Sequence, residues 1–413
     1  MLHAALGIAV LLGIAYLCSE NRKRIPWRTV IGGVALQLLF ALLLIGVPGS
    51  ARAMFWLNDA ASALHHATLA GTQFVFGYLG GGAPAFTETR PGASFILAFQ
   101  ALPLVLTISA LASLLFYWGV LQRITGAFAW LLRRTMGING PLALGAAVHV
   151  FVGMIESPLL VRPYLARMQR GELFALMTCG MAGVAGTVMI IYASFLDPII
   201  PNALGNILIA SIISTPAGLA IAALMVPFDA GERDEGRLTL DHQPHSALDA
   251  LVRGTLDGIP ILAAIVAVLL VTVALVALAN MALALLPDWG GVITLQRIAA
   301  LPFRPIMWLV GVPWAETPTA AMLMATKTVL NEFVAYLDFS KLPADALSPR
   351  SRVILTYALC GFANFGSLGI LIGGLSTMAP QRQAEIVSLG WRSILSGTLA
   401  TCTSGALAGA LLG

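Results

Sequence analysis

Residues 134–162 read RTMGINGPLALGAAVHVFVGMIESPLLVR, an apolar stretch broken by Gly137, Gly140, Pro141, Gly145, Gly153, Glu156 and Pro158. It is too interrupted to cross a bilayer as one helix, yet too apolar to lie in water. Non-helical backbone at membrane depth is tolerated only when buried in protein or lining a wet cavity, so the stretch is expected to form a re-entrant helical hairpin. A counterpart runs from about Arg304 to Leu342, interrupted by Pro313, Glu316, Pro318, Lys327, Glu332 and Asp338.

The remainder of the chain supplies the membrane that such hairpins need. Of 413 residues, 58% are apolar and 10% charged, against about a quarter charged in an ordinary soluble domain. The basic residues are dispersed between apolar runs, which excludes a nucleic-acid partner. A span needs about 20 apolar residues. Charge-free stretches of that size run from Met1 to Ser19, Thr29 to Ala51, Pro91 to Gln122, Leu173 to Leu196, Pro198 to Phe228, Gly258 to Pro287, Val353 to Gln381 and Ser393 to Gly413.

The first stretch is not a secretory signal, because Arg22, Lys23, Arg24 and Arg28 follow its apolar run rather than precede it. By the positive-inside rule this cluster is cytoplasmic, which places the N-terminus outside. Eight crossings in alternation then put Gln122 to Glu172, Asp229 to Asp257 and the turn from Gln381 to Arg392 inside. Two segments are expected to lie along the headgroups: Ala51 to Gly81, with Trp56, His65, His66, Phe74 and Phe76, and the basic stretch Arg123 to Arg134. The loop Asp229 to His245 is expected to be a solvated linker. The four cysteines, Cys18, Cys179, Cys360 and Cys402, show no C-x-x-C spacing, so neither disulfides nor structural zinc are expected.

The chain also repeats itself. Cys179-Gly180-Met181-Ala182-Gly183 matches Cys360-Gly361-Phe362-Ala363-Asn364, and each pentad follows a broken hairpin with one acid, Glu156 in the first and Glu332 in the second. Three crossings separate the hairpins, an odd number, so they enter from opposite faces. That is the layout of an inverted-repeat secondary transporter, whose discontinuous segments meet at mid-membrane around the substrate. The fold class is therefore an all-α polytopic membrane protein: eight transmembrane helices, two re-entrant hairpins of opposite orientation and interfacial helices. Its units are 1–90, first two spans and an interfacial helix; 91–134, a scaffold span and interfacial helix; 135–228, first transport repeat; 229–303, cytoplasmic linker and scaffold span; and 304–413, second transport repeat.

Glu156 and Glu332 are the sharpest functional candidates, since an acid at membrane depth costs roughly 3 kcal/mol unless it finds a partner or water. Either carboxyl could also carry a transported proton. Asn364 and Ser367, three apart, are expected on one face of a helical turn, where they could hold the hydroxyls of a polar ligand. His149 is a candidate proton relay, and Lys327 either snorkels to the interface or neutralises a neighbour. No G-x-x-x-x-G-K-[ST], H-E-x-x-H or G-x-S-x-G occurs, so neither an ATP-driven pump nor those hydrolase classes is supported. Besides a carrier, two alternatives stand: an intramembrane enzyme using the paired carboxylates, and a passive channel for polar solutes.

Three segments carry a resemblance. GMIESPLLVRPY at 153–164, NEFVAYL at 331–337 and CGFANFGS at 360–367 strongly resemble the signature segments of the concentrative nucleoside transporter family. Over nearly the whole chain the resemblance is to its prokaryotic members. It implies a homotrimer in the inner (plasma) membrane, with eight spans, two hairpins and three interfacial helices, importing nucleosides or related ribosides without a cofactor. A scaffold including the third and sixth spans would hold the trimer, while a mobile domain carries the hairpins and the fourth and seventh spans. By the same resemblance Glu332, Asn364 and Ser367 hold the ribose, Glu156 and Gly153 lie at the first hairpin tip beside the nucleobase, and Val188 and Phe362 form apolar walls. The chain departs from the family at Met154 and Ile155, where a glutamine and a hydroxyl residue usually contact the base. It departs again at His149 and Gly183, where sodium-coupled members supply side-chain oxygens; Gly183 has none. The backbone carbonyl of Val152 remains available to an ion, but these departures favour H+ over Na+ as the coupling ion, with Glu156 the first candidate for the proton.

Overall fold

The computed structural model describes residues 2–46, 48–87, 94–229, 245–287 and 291–412. Most of the linker from Asp229 to His245, the start of the stretch from Pro91 and the side chain of Trp56 lie outside the described residues. Among those described, the chain is entirely helical. The helices run α1 (Leu2–Leu17), α2 (Trp27–Ile45), α3 (Pro48–Phe76), α4 (Leu97–Gln100), α5 (Leu104–Tyr117), α6 (Val120–Met136), α7 (Gly140–His149), α8 (Glu156–Leu160), α9 (Arg162–Leu165), α10 (Arg170–Ala182), α11 (Gly186–Leu196) and α12 (Ala203–Met225). After the linker come α13 (Ala247–Leu283), α14 (Leu295–Leu309), α15 (Thr317–Val329), α16 (Glu332–Ser340), α17 (Pro349–Leu359), α18 (Phe365–Met378) and α19 (Gln383–Leu411).

Among the described residues, five stretches are long and apolar enough to cross a membrane: Trp27–Ile45, Leu97–Tyr117, Ala203–Met225, Ala247–Leu283 and Pro380–Leu411. Two of the expected spans are interrupted. Leu173 to Leu196 breaks between α10 and α11, where Gly183 is fully extended, and Val353 to Gln381 breaks between α17 and α18. The expected first hairpin resolves into α7, a turn and α8. The second differs from expectation at its start: Arg304 belongs to α14, a separate helix with Pro302 and Pro305 inside it, and the broken pair itself is α15 and α16. Hydropathy alone merged these elements because the apolar residues of α14 run on into those of α15.

At the centre stands α12, almost wholly buried and packed against α2, α10 and α19. Its alanines, glycines and serines allow close approach, and hydroxyls tie the helices together, as is usual where apolar driving force is weak. Ser214 Oγ and Ser404 Oγ lie 2.7 Å apart, Thr178 and Ser396 pair likewise at 2.7 Å, and Gln37 donates to Thr403 at 3.0 Å. The packing of α13 is different: only 6% of its apolar window is buried, and it lies along α5. Leu270, Leu275 and Leu278 on it are at least 60% exposed.

Each end of α1 marks one end of the bundle. At its start, His3 Nε2 lies 2.6 Å from the carbonyl of Trp308, near the end of α14. Beyond its other end, Glu20 pairs with Arg170 and Arg392, each at 3.0 Å. Arg170 opens α10, whose Glu172 accepts from Asn139, the N-cap of α7, at 2.6 Å.

Candidate functional site

Four chain breaks converge on one cavity of about 340 Å³. The turn between α7 and α8 contributes Val152, Gly153, Met154, Ile155 and Glu156, and the break between α10 and α11 contributes Ala185, followed by Val188 and Tyr192 on α11. Asn331 and Glu332 come from the break between α15 and α16, and Phe362, Asn364 and Ser367 from the break between α17 and α18. Residues of α13, from Pro260 to Leu269, close the remaining side.

The breaks place polar groups at depth because each supplies its own helix cap. Asn331 caps α16 by accepting from the Val334 amide at 2.9 Å, which sets Glu332 in the first turn with its side chain buried. Asn364 caps α18, accepting from the Ser367 amide at 2.7 Å. It is therefore the residue before the helix, a correction to the expected helical face shared with Ser367: its backbone is extended and its side-chain oxygen is spent on the cap.

Glu332 is the focus. Its Oε1 accepts from the Tyr192 hydroxyl at 2.7 Å and its Oε2 from Asn364 Nδ2 at 2.7 Å. An ionised carboxylate has about four lone-pair sites, so acceptor capacity is left for a ligand. Tyr192 also stacks near Tyr336, ring centroids 5.0 Å apart, and Tyr336 is itself held by donation to the Thr356 carbonyl at 2.7 Å. The geometry fixes the carboxylate before any ligand arrives.

Glu156 is only partly buried and opens α8. Behind it Gly153 has φ +134°, and a Cβ there would lie 2.6 Å from Glu156 Oε2; glycine is needed on both counts. Met154, Val188 and Phe362 are buried apolar surfaces, and Ile155 reaches toward Gly374 of α18.

All nine residues expected to contact substrate, Gly153, Met154, Ile155, Glu156, Val188, Glu332, Phe362, Asn364 and Ser367, line this cavity. Of the residues expected near a coupling ion, Val152 and Glu156 line it too, whereas His149 and Gly183 do not. Those two face one another instead: a Cβ on Gly183 would sit 3.3 Å from His149 Nε2. His149 is buried, with its ring against the backbone of Gly153 and Gly183.

The two matching pentads meet. Phe362 donates its amide to the Gly183 carbonyl at 3.3 Å, and a Cβ on Gly361 would lie 2.7 Å from the Met181 carbonyl oxygen. Lys327 does not snorkel; it is fully buried. Tyr192 was not singled out in the sequence. A larger depression of about 720 Å³ is lined by Asn206, Arg352 and Tyr357 among apolar residues, with no Asp or Glu side chain among the described residues that line it.

A chain that is helical throughout its described residues, with long apolar spans and a cavity lined by two carboxylates, defines a membrane protein that handles a polar solute. Three family models match it: "Na+ dependent nucleoside transporter N-terminus" over residues 6–79, "Nucleoside recognition" over 98–199 and "Na+ dependent nucleoside transporter C-terminus" over 206–409. An uncharacterized transporter of Haemophilus influenzae is 38% identical over 421 residues, covering 100% of this chain and 98% of that protein. The sodium/nucleoside cotransporter 2 of Rattus norvegicus is 33% identical over 425 residues, covering 98% of this chain but 62% of the rat protein. Among solved structures, CNTnw in an inward-facing substrate-bound state gives a TM-score of 0.88 at 36% identity, over 99% of this chain and 97% of that one. A CNTnw variant in an outward-facing state gives 0.90 at 35% identity, over 100% and 97%. The chain belongs to the concentrative nucleoside transporter family. Its relatives are transporters, which removes the intramembrane enzyme as an alternative.

Proposed function

We propose that this protein is a secondary-active symporter that imports nucleosides or closely related ribosides across the inner membrane. The observation that carries the reading is Glu332, a buried carboxylate oriented by Tyr192 and Asn364 on the wall of the cavity. Two ribose hydroxyls would donate to its free lone pairs, and the Ser367 hydroxyl beside Asn364 would complete the polar end. Val188 and Phe362 would flank the base. Met154 and Ile155 offer the base no hydrogen bond, so its recognition falls to Glu156 and to shape.

The membrane arrangement we propose is eight spans with two re-entrant hairpins of opposite orientation. Support comes from α1: the first hairpin opens beside Glu172 and Arg170, at the end of the bundle where α1 finishes. The second opens just after α14, which meets the start of α1. With the basic cluster Arg22 to Arg28 inside, the N-terminus lies outside. The apolar exposed face of α13 supports assembly through the scaffold of α5 and α13, and a homotrimer is the proposed state. In this reading the hairpins and the fourth and seventh spans, within 135–228 and 304–413, move against a scaffold that includes the third and sixth spans, within 91–134 and 229–303. Ligand between the breaks offsets the cost of carrying the carboxylates past the apolar wall of α13, and alternating access follows.

For the coupling ion we favour H+. His149 places a titratable imidazole beside the break at Gly183, and neither residue offers an ion a side-chain oxygen. A second reading, Na+, is favoured by the description of the family models; Ser211 Oγ and nearby carbonyls would then coordinate the ion. Uptake of labelled uridine and adenosine into proteoliposomes under separately imposed proton and sodium gradients tests both. Accumulation under one gradient identifies the ion, whereas flux that never exceeds equilibrium would make the protein a channel.

A further inference from the structure

The end of α17 is short of backbone donors. In a continuing helix the Cys360 amide would serve the Thr356 carbonyl and the Phe362 amide that of Ala358. Both amides turn elsewhere: Cys360 donates to the Tyr357 carbonyl at 3.2 Å, and Phe362 to the Gly183 carbonyl at 3.3 Å. Helix ends leave carbonyls unserved in this way, and away from water each needs another partner.

Both partners come from the second hairpin, one from each arm. Lys327, in the last turn of α15, donates from Nζ to the Ala358 carbonyl at 3.0 Å, and Tyr336 of α16 donates its hydroxyl to the Thr356 carbonyl at 2.7 Å. Lysines near helix C-termini take the last carbonyls in this manner. A carbonyl needs only an N–H, so the role of Lys327 is independent of its charge. Lys327 also donates to Thr401 Oγ1 of α19 at 3.2 Å, and Tyr336 lies beside Tyr192.

The same hairpin grips the far lip of the break. Glu332, which opens α16, accepts from Asn364 Nδ2 at 2.7 Å, and Asn364 starts α18. Lys327, Tyr336 and Asn364 are each 0% exposed, so water does not compete for these bonds. Winding Cys360 to Phe362 into α17 would satisfy the two carbonyls from the backbone instead. It would also carry Asn364 out of its extended cap geometry and away from Glu332.

We propose that the second hairpin holds the break between α17 and α18 open: Lys327 and Tyr336 occupy the carbonyls that rewinding would claim, and so keep Asn364 against Glu332. Neither residue lines the cavity. They are positioning residues, acting on the ligand through Asn364 and Glu332. The inference rests on the riboside reading for its binding assay, but not for its exchange assay.

Hydrogen exchange of the purified, ligand-free protein reads the first turn of α18, residues 364–370, which Asn364 caps. Tyr336→Phe keeps the ring, and Lys327→Met keeps most of the stem. Each is expected to speed exchange there about tenfold, the scale of one lost hydrogen bond, as Asn364→Ala does. Unchanged exchange at 364–370 overturns the proposal, and Tyr336→Phe alone decides if Lys327→Met fails to fold. Faster exchange spread evenly over the chain also overturns it, since both residues would then be ordinary packing. In parallel, uridine affinity should fall about tenfold in each variant. In an Asn364→Ser background, where the link to Glu332 is already cut, the same substitutions should cost nothing further. Unchanged affinity in the single variants, or a full further cost in that background, overturns the proposal. Should wild type bind no nucleoside while the exchange pattern holds, the clamp stands and the riboside reading falls.

Discussion

Asn364 directs its two amide ends to different tasks: Oδ1 accepts the Ser367 amide at 2.7 Å and so starts α18, while Nδ2 donates to Glu332 Oε2 at 2.7 Å. A helix start in the second half of one repeat thereby sets the angle of the carboxylate in the first half. Loss of the side chain should cost twice. Asn364→Ala removes a cap worth about 1 kcal/mol and a hydrogen bond to a charged group worth roughly 1.5–3 kcal/mol. Melting temperature and uridine affinity should both fall. Asn364→Ser keeps a capping oxygen but cannot span to Glu332, so it should recover thermal stability and leave affinity low. Recovery of affinity with stability would show that only the cap matters.

Tyr192→Phe isolates the other donor. The ring still packs beside Tyr336 and Phe333, so the fold should hold, while the lost bond to Glu332 weakens uridine binding by about tenfold or more. Equilibrium binding to purified protein measures this directly, and affinity equal to wild type would remove Tyr192 from the site.

Gly153→Ala should disable the first hairpin tip. Its Cβ would require φ +134° of an L-residue and would fall 2.6 Å from Glu156 Oε2, displacing the carboxyl. Uptake should drop at least about tenfold, at the scale of 1–3 kcal/mol for a strained backbone. Gly369→Ala is the matched control, because nothing lies within 4 Å of its Cβ, and its uptake should remain near wild type.

Much of this was legible in the sequence, for reasons that can be assigned. The hairpins announced themselves by charge and proline inside apolar runs, and Glu156 and Glu332 stood out because a bilayer makes acids costly. The repeat pointed to the pentads, and these meet at Gly183 and Phe362. What periodicity could not register was interruption by conformation alone. Gly183 and Cys360 end helices inside runs with unbroken hydropathy, so α10 with α11 and α17 with α18 read as single spans, and Asn364 read as helical rather than as a cap. Tyr192 was hidden for a different reason: a phenol on an apolar helix looks like packing until its partner, distant in sequence, is placed beside it. The buried position of Lys327 depends on α17 and α19 arriving together, which no local pattern encodes.

The coupling assignment predicts a specific separation. His149→Gln keeps a polar side chain without a titratable ring, so uridine should still exchange across proteoliposomes by counterflow, but a proton gradient should no longer drive accumulation. Full proton-driven accumulation in this variant would exclude His149 as the coupling group and return attention to Glu156.

The central claim is that Glu332 receives the sugar of a nucleoside. A structure of the protein with uridine bound tests it most directly. The account predicts ribose hydroxyls within hydrogen-bonding distance of the Glu332 carboxylate, Asn364 and Ser367, with the base between Val188 and Phe362. Uridine seated instead in the larger depression beside Asn206 and Arg352, or in the cavity with its ribose turned away from Glu332, would contradict it.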